Sequence, residues 1–221
     1  MKKSLNIKED IAISEEYSTL SKQLCELILT KGVEPIGKVV IAVGGESGSG
    51  KTTTAVCLEE AFADKGIVST TIHMDSYFKL PPKENHQKRI VDFSNVGPQE
   101  INMNLMNDHI ASFKANVDNI TIPVLNYKLN QFTEEKLDLS NVSVLIVEGV
   151  YSFLLDGLDH RVFMSRSYKD TYQNRIKRTR ENYDPRVELI LDIEHKIVSP
   201  LIENSDFIIN KDYEVVQNKT L

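Results

Sequence analysis

A short glycine-rich segment, GESGSGKT at residues 45–52, carries the clearest chemistry in the chain. It matches the eight-residue phosphate-binding loop, or P-loop, which requires two glycines, a lysine and a hydroxyl residue at fixed positions. The glycines let the backbone approach phosphate oxygens, Lys51 brings a positive charge to the terminal phosphates, and Thr52 offers an oxygen to Mg²⁺. The residues predicted to bind the nucleotide are Gly45, Glu46, Ser47, Gly48, Ser49, Gly50, Lys51, Thr52 and Thr53.

Two carboxylates directly follow apolar segments that are typical of buried strands. Glu148 follows VSVLIV, and Asp75 follows STTIHM. A carboxylate at the carboxyl end of a strand beside a P-loop is well placed to hold a metal directly or through water, so we predict that Glu148, Asp75 and Thr52 attend Mg²⁺. Asp75 is also the candidate base beside an acceptor hydroxyl. The alternative for Asp75 is a helix N-cap or a turn residue.

An arginine-rich segment, YQNRIKRTRENYDPR at residues 172–186, lies farther along the chain. Arg175 and Arg178 are three residues apart and therefore share one face of a helix. We predict a lid at residues 175–186 that supplies arginines to the transferred phosphoryl group, which makes Lys51, Asp75, Arg175 and Arg178 the predicted catalytic residues. The alternative is a helix whose charged face is simply solvated.

These residues are positioned by a regular alternation of predicted strands and helices. Short apolar segments, typical of strands that are buried on both faces, occur at residues 39–43, 69–74, 144–147, 162–165 and 207–209. Helical patterns cover residues 14–31, 52–65, 98–114, 170–181 and 186–203. Strands that alternate with helices predict an α/β fold with a parallel sheet.

Residues 75–140 interrupt this alternation. They contain Pro81 and Pro82, a basic and polar segment at residues 83–89, one predicted helix and then the segment IPVLNYKLN. We predict an insertion over the carboxyl edge of the sheet, where ligands bind in such folds, and expect it to form the acceptor site. The predicted organisation is an N-terminal helical extension at residues 1–35 followed by one P-loop domain at residues 36–221.

The charge balance and the lack of long apolar runs exclude several classes of function. The 221 residues include 26 Lys and Arg against 32 Asp and Glu, with a formal charge of −6 at pH 7. Since a nucleic-acid site needs a basic surface, we predict no nucleic-acid partner. No apolar run approaches the roughly 20 residues of a membrane span, and the start lacks a signal-peptide pattern, so we expect a cytoplasmic protein with no membrane partner. Cys25 and Cys57 have no CxxC partner, which predicts reduced thiols and no zinc site.

The motifs that characterise two other classes of P-loop protein are missing from the sequence, which favours phosphotransfer to a small molecule. A GTPase would carry an NKxD guanine reader and a DxxG segment, but Asn210-Lys211-Asp212 is one residue too short, and no DxxG follows Glu148. A transporter ATPase would carry an LSGGQ-type signature, which the sequence lacks. Because a P-loop alone does not specify a reaction, a protein that senses a nucleotide without transferring phosphate stays open as an alternative.

From residue 39 to about residue 210 the chain resembles the uridine kinase and phosphoribulokinase family of P-loop kinases. The resemblance rests on GESGSGKT, DSYFK, IPVLNY, VLIVEGVYSF, the arginine-rich segment and DFIIN, which occur in the family's order. It implies a P-loop NTPase fold with a five-stranded parallel sheet, helices on both faces and the strand order of nucleoside monophosphate kinases. It also implies Mg-ATP as the donor, a nucleoside such as uridine as the acceptor, Asp75 as the base and possible self-association into a homo-oligomer.

The acceptor pocket is where the sequence departs from this family. Leu125 stands where the family's IPVYD motif has an aromatic residue, and Asn130 replaces a histidine. The remaining predicted substrate-binding residues are Tyr77, Lys79, Arg89 and Tyr127. Since Lys79 and Arg89 also suit an anion, a sugar phosphate or a pantothenate-like alcohol is the alternative acceptor.

Overall fold

The central sheet follows the predicted alternation of strands and helices. The computed structural model describes residues 13–30, 37–173 and 184–218. The strands of the central sheet are β1 (Val39–Gly45), β2 (Ser69–His73), β5 (Val144–Glu148), β6 (His160–Met164), β7 (Phe207–Ile209) and β8 (Val215–Gln217). A separate antiparallel hairpin consists of β3 (Asn119–Asn126) and β4 (Gln131–Asp138).

The strand order in the central sheet is β2-β5-β1-β6-β7-β8. The first five strands in this order run parallel, and β8 pairs antiparallel with β7 at one edge. The predicted five-stranded parallel sheet is therefore confirmed, and β8 is an addition that the sequence pattern did not reveal. Because β1 lies near the middle, the loop that follows it opens at the centre of the carboxyl edge.

Helices cover both faces of the sheet, as predicted. The helices in the described part of the chain are α1 (Glu15–Thr30), α2 (Lys51–Asp64), α3 (Pro82–Val91), α4 (Met103–Lys114) and α5 (Arg186–Val198). Alternate residues of β1 enter two different apolar cores, Val40 and Ala42 one core and Ile41 and Val43 the other. A membrane-crossing helix would have to be longer and more apolar than any found in these described ranges.

Helix α1 packs onto the P-loop domain. Leu20, Leu24 and Ile28 recur every four residues, so that they lie on one face of the helix, and all three are buried in the core shared with α2. Cys25 is buried beside them and forms no disulfide, and burial raises the pKa of its thiol to about 11. The N-terminal extension is thus, through α1, part of the hydrophobic core.

The insertion at residues 75–140 contains more regular structure than the single predicted helix. It holds α3, α4 and the β3–β4 hairpin. Helix α3 covers the segment that we expected to be irregular and polar, because its sequence, PKENHQKRIV, has no apolar periodicity. Pro98 begins a short 3₁₀ turn instead of the predicted helix. Helix α4 starts at Met103, where Asn102 caps it by accepting a hydrogen bond from the Leu105 amide.

Candidate active site

The P-loop joins the end of β1 to the first turn of α2. Gly45, Gly48 and Gly50 have φ values of 139°, 79° and 102°, in the left-handed region that glycine adopts without a steric penalty. A Cβ atom at Gly45 would lie 2.7 Å from the carbonyl oxygen of Met164. The free amides at the start of α2, together with the helix dipole, form a cradle for phosphate oxygens.

Lys51 lies buried over this loop, only 8% exposed. Its Nζ atom donates a hydrogen bond of 2.8 Å to the carbonyl oxygen of Glu46. Burial lowers the pKa of Lys51, and the negative charges of Glu148 and Asp75 oppose that effect. A phosphate bound in the loop would offer this buried ammonium group a direct anionic partner.

Thr52 and Glu148 meet at the carboxyl edge of the sheet. The Thr52 hydroxyl donates to Glu148 Oε1 at 3.2 Å, and His73 Nδ1 donates to the same oxygen at 2.8 Å. His73 and Glu148 pair in register on the neighbouring strands β2 and β5. Burial alone would raise the pKa of Glu148, but the hydrogen bond and charge of His73, together with the charge of Lys51, hold that pKa below its usual value.

These oxygens suit Mg²⁺, which prefers hydroxyl and carboxylate ligands. Asp75 follows β2 at the same edge, and two effects raise its pKa: burial first, and then the negative charge of Glu148. A divalent cation bound at this edge of the sheet would reduce that repulsion. The predicted metal residues Thr52 and Glu148 are therefore in contact, with Asp75 on the neighbouring strand end.

Asp75 also opens onto a cavity of about 200 Å³. The cavity lies between the P-loop, helices α3 and α5 and the β3–β4 hairpin. Its apolar wall includes Phe78, Leu80, Leu125 and Val150, and its polar wall includes Asp75, Asn85, Arg89, Tyr127 and Glu194. The Tyr127 hydroxyl donates a hydrogen bond of 2.5 Å to Asp75 Oδ2. A small molecule in this cavity would thus have a carboxylate on its P-loop side.

Arg89 lines the cavity but is already paired with two carboxylates. Its Nε and Nη2 atoms donate to the two oxygens of Glu100 at 2.5 and 2.8 Å, and its Nη1 atom lies 3.2 Å from Glu194 Oε1. Burial raises the pKa of Glu194, and the charge of Arg89 opposes that rise. Among the described residues, Arg89 is the one Lys or Arg at the cavity wall, and this pairing neutralises its charge.

Two of the predicted substrate-binding residues, Tyr77 and Lys79, are not part of the cavity wall. Tyr77 does not line the cavity: its ring is buried in the core, 2% exposed, and its hydroxyl forms a hydrogen bond of 2.8 Å with His109 Nδ1. Lys79 is exposed and donates to the carbonyl oxygen of Gln99. Arg175 and Arg178 lie outside the described residues, so the lid stays a prediction.

Helix α5 contacts the P-loop through residues that the sequence pattern did not single out. Glu194 accepts a hydrogen bond of 3.1 Å from the Ser47 hydroxyl, and His195 Nδ1 donates to Glu46 Oε1 at 2.7 Å. Glu46 Oε2 also accepts from the Tyr168 amide at 2.7 Å. The side chain of Glu46 is thus fixed away from the phosphate cradle, whereas its carbonyl oxygen faces Lys51.

A comparison with family models matches residues 40–209 to the phosphoribulokinase/uridine kinase family. Among curated proteins, the chain is 29% identical over 194 residues to a bifunctional alpha-galactosidase/sucrose kinase from Mediterraneibacter gnavus. That match covers 81% of this chain but only 21% of the larger protein, so the chain spans about a fifth of its length. The chain is also 26% identical over 172 residues to a uridine kinase from Ureaplasma parvum, covering 75% of this chain and 80% of that enzyme.

Solved structures share the fold at lower sequence identity. A possible uridine kinase from Bacillus stearothermophilus superposes with a TM-score of 0.64 at 20% identity, covering 87% of this chain and 98% of that one. The phosphoribulokinase from Rhodobacter sphaeroides gives a TM-score of 0.63 at 12% identity, covering 80% of this chain and 71% of that one. These likenesses support the arrangement of sheet and helices described above.

Proposed function

The chain belongs to the phosphoribulokinase/uridine kinase family of kinases, and on that premise we propose that it transfers the γ-phosphoryl group of ATP to a hydroxyl of a small, uncharged metabolite. The observation that carries the proposal is the position of Asp75, which opens onto the cavity from the strand end next to Glu148 and the P-loop. A donor in the loop and an acceptor in the cavity would meet at this carboxylate.

The residues of the chain act by positioning the two substrates and by stabilising negative charge, since phosphoryl transfer requires little covalent chemistry from the protein. The P-loop amides and Lys51 hold the phosphates. Asp75 accepts the proton of the acceptor hydroxyl while that oxygen attacks the γ-phosphorus and the bond to ADP breaks. Because burial and the charge of Glu148 raise the pKa of Asp75, it is a stronger base than an exposed aspartate.

Thr52 and Glu148 would hold Mg²⁺ at this edge of the sheet. When bound, the ion would neutralise charge on the β- and γ-phosphate oxygens. The hydrogen bond from His73 fixes the Glu148 carboxylate in place, so that it needs little rearrangement to receive the ion.

The pairing of Arg89 supports an uncharged acceptor. An anionic acceptor needs a positive charge that no protein carboxylate already offsets, but Arg89 donates hydrogen bonds to both oxygens of Glu100 and lies in an ion pair with Glu194. A phosphate or carboxylate in the cavity would also approach the carboxylates of Asp75 and Glu194. Electrostatic repulsion by these carboxylates therefore disfavours a sugar phosphate or a pantothenate-like alcohol, which carries a carboxylate, and favours a neutral molecule rich in hydroxyls.

Two neutral acceptors have support. A nucleoside such as uridine is favoured by the similarity to uridine kinases along most of their length. A free sugar is favoured by the similarity to a bifunctional protein with sucrose kinase in its name, and by Leu125 at the position of the family's aromatic residue. Both present several hydroxyls and an apolar face to a cavity that has one polar and one apolar wall.

The test is a panel of acceptors with labelled ATP and Mg²⁺. Uridine, cytidine, sucrose and fructose represent the neutral acceptors, and fructose 6-phosphate, ribulose 5-phosphate and pantothenate the anionic ones. We expect product with a neutral acceptor and none from a Lys51→Ala variant. ATP binding without any product would instead indicate a nucleotide sensor, and a preference for an anionic acceptor would contradict the role given to Arg89.

A further inference from the structure

Helix α1 lies outside the matched residues 40–209, yet it brings an aromatic side chain to the P-loop. Tyr17 stands in the first turn of α1. A Cβ atom added to Gly50 would collide with the Tyr17 hydroxyl and lie 3.0 Å from its Cζ. Tyr17 therefore lies directly against the P-loop where it enters α2.

Two further groups complete a cluster around Tyr17. Its ring and that of Tyr213 meet edge to face, with centroids 5.0 Å apart. The Arg166 guanidinium lies 5.2 Å from the Tyr213 ring centroid and donates a hydrogen bond to the Tyr213 hydroxyl. Arg166 follows β6, and Tyr213 lies in the turn between β7 and β8. Three separate parts of the chain thus meet beside the P-loop.

The strand order places this cluster on the side of the P-loop that faces away from Asp75. Asp75 follows β2 at one end of the sheet, the P-loop follows β1 near the middle, and Tyr213 lies between β7 and β8 at the other end. A donor with its terminal phosphate towards Asp75 must extend its other end away from β2. The nucleoside of that donor would therefore reach the side of the sheet that carries Arg166, Tyr17 and Tyr213.

We propose that Tyr17, with Tyr213 and Arg166, forms a wall that receives the nucleoside of the donor, so that helix α1 is part of the donor site. Aromatic rings and a guanidinium plane suit a flat nucleobase, which stacks on either. The inference rests on the proposed function, because it assumes that the P-loop holds a nucleoside triphosphate.

Binding measurements with two ligands test this inference on the full chain. Calorimetry would compare Mg-ATP with magnesium tripolyphosphate, which has the phosphates but no nucleoside. We expect Tyr17→Ala to weaken ATP binding about tenfold, the usual worth of one base–aromatic contact, and to change tripolyphosphate binding by less than about twofold. Tyr213→Ala should act in the same way. Tyr17→Phe, which keeps the ring, should stay close to the unaltered protein.

Lys22→Ala provides a matched control on the same helix, since the Lys22 side chain is exposed and its ion pair with Asp64 is long, at 3.9 Å. We expect it to leave the binding of both ligands unchanged. Unchanged ATP binding by Tyr17→Ala would overturn the inference, and so would equal losses for ATP and tripolyphosphate, which would place the effect in the P-loop. If the unaltered protein binds no ATP, the proposed function falls with it. If the unaltered protein binds ATP and Tyr17→Ala binds it equally well, only this inference is overturned and the proposed function stands.

Discussion

Replacement of Arg89 by Met would test whether this guanidinium serves the fold or the acceptor. The substitution keeps most of the side-chain volume but removes the charge that lies between Glu100 and Glu194. Both carboxylates are nearly inaccessible, at 4% and 5% side-chain exposure. Removing one partner of a buried ion pair costs about 3–5 kcal/mol, because it leaves an uncompensated charge. For a domain of this size that corresponds to a fall in Tm of roughly 6–20 °C.

The loss of stability in Arg89→Met should increase as the pH rises. Burial already raises the pKa of Glu194, and Arg89 opposes this rise, so Arg89→Met should raise that pKa further. The folded variant then binds a proton that the unfolded chain releases, which makes its stability fall as pH rises. We therefore expect the difference in unfolding free energy between the two proteins to be larger at pH 8 than at pH 5.

The assay is urea unfolding at several pH values, followed by kinetics with neutral and anionic acceptors. The double variant Arg89→Met, Glu194→Gln is the matched control and should recover part of the lost stability. A stable Arg89→Met variant whose only defect is a raised KM for an anionic acceptor would refute the reasoning. It would show that the guanidinium is available to substrate instead of being neutralised by Glu100 and Glu194.

Three further predictions concern other groups. Glu148→Gln should raise the Mg²⁺ concentration needed for half-maximal turnover by at least about tenfold, since even the loss of a group that only supports a metal ligand costs about 10–100-fold; an unchanged magnesium titration would contradict a role of Glu148 in the metal site. Tyr127→Phe removes a hydrogen bond that lowers the pKa of Asp75, so the acid limb of the kcat/KM profile should move to higher pH, and no shift or a downward shift would contradict that contact. Burial lowers the pKa of His109, so as the pH falls the imidazole is protonated in the unfolded chain before it is protonated in the folded protein. Urea unfolding should then show that stability falls below about pH 6.5, by up to about 1.4 kcal/mol per pH unit more than in His109→Asn; the same pH dependence in both proteins would contradict this prediction.

The P-loop and the parallel sheet could be predicted from sequence because their signals are local. The loop needs a fixed pattern of eight residues, and each parallel strand is a short apolar run. Glu148 and Asp75 could be placed at one edge because both follow such runs. His73 could have been found by the same reasoning, since it ends β2 in register with Glu148.

The acceptor cavity could not be predicted to the same depth, because its contacts join distant parts of the chain. The pairing of Arg89 with Glu194 joins α3 to α5, and no local pattern in either segment indicates it. Helix α3 lacks an apolar stripe, so its sequence resembles a polar loop. Tyr77 has the residue type expected of a substrate contact, but its ring packs in the core against α4 and bonds His109. Residue type alone did not distinguish these two roles.

The most direct test of the phosphotransfer mechanism is the turnover of Asp75→Asn measured together with its ATP affinity. The amide keeps the shape of the side chain but cannot accept the proton of the acceptor hydroxyl. We predict that kcat falls by roughly 10²–10⁴, the usual worth of a positioned general base, while the Kd for Mg-ATP stays within a few-fold of the unaltered protein. Full turnover by Asp75→Asn would contradict the assignment of the base and, with it, the proposed mechanism.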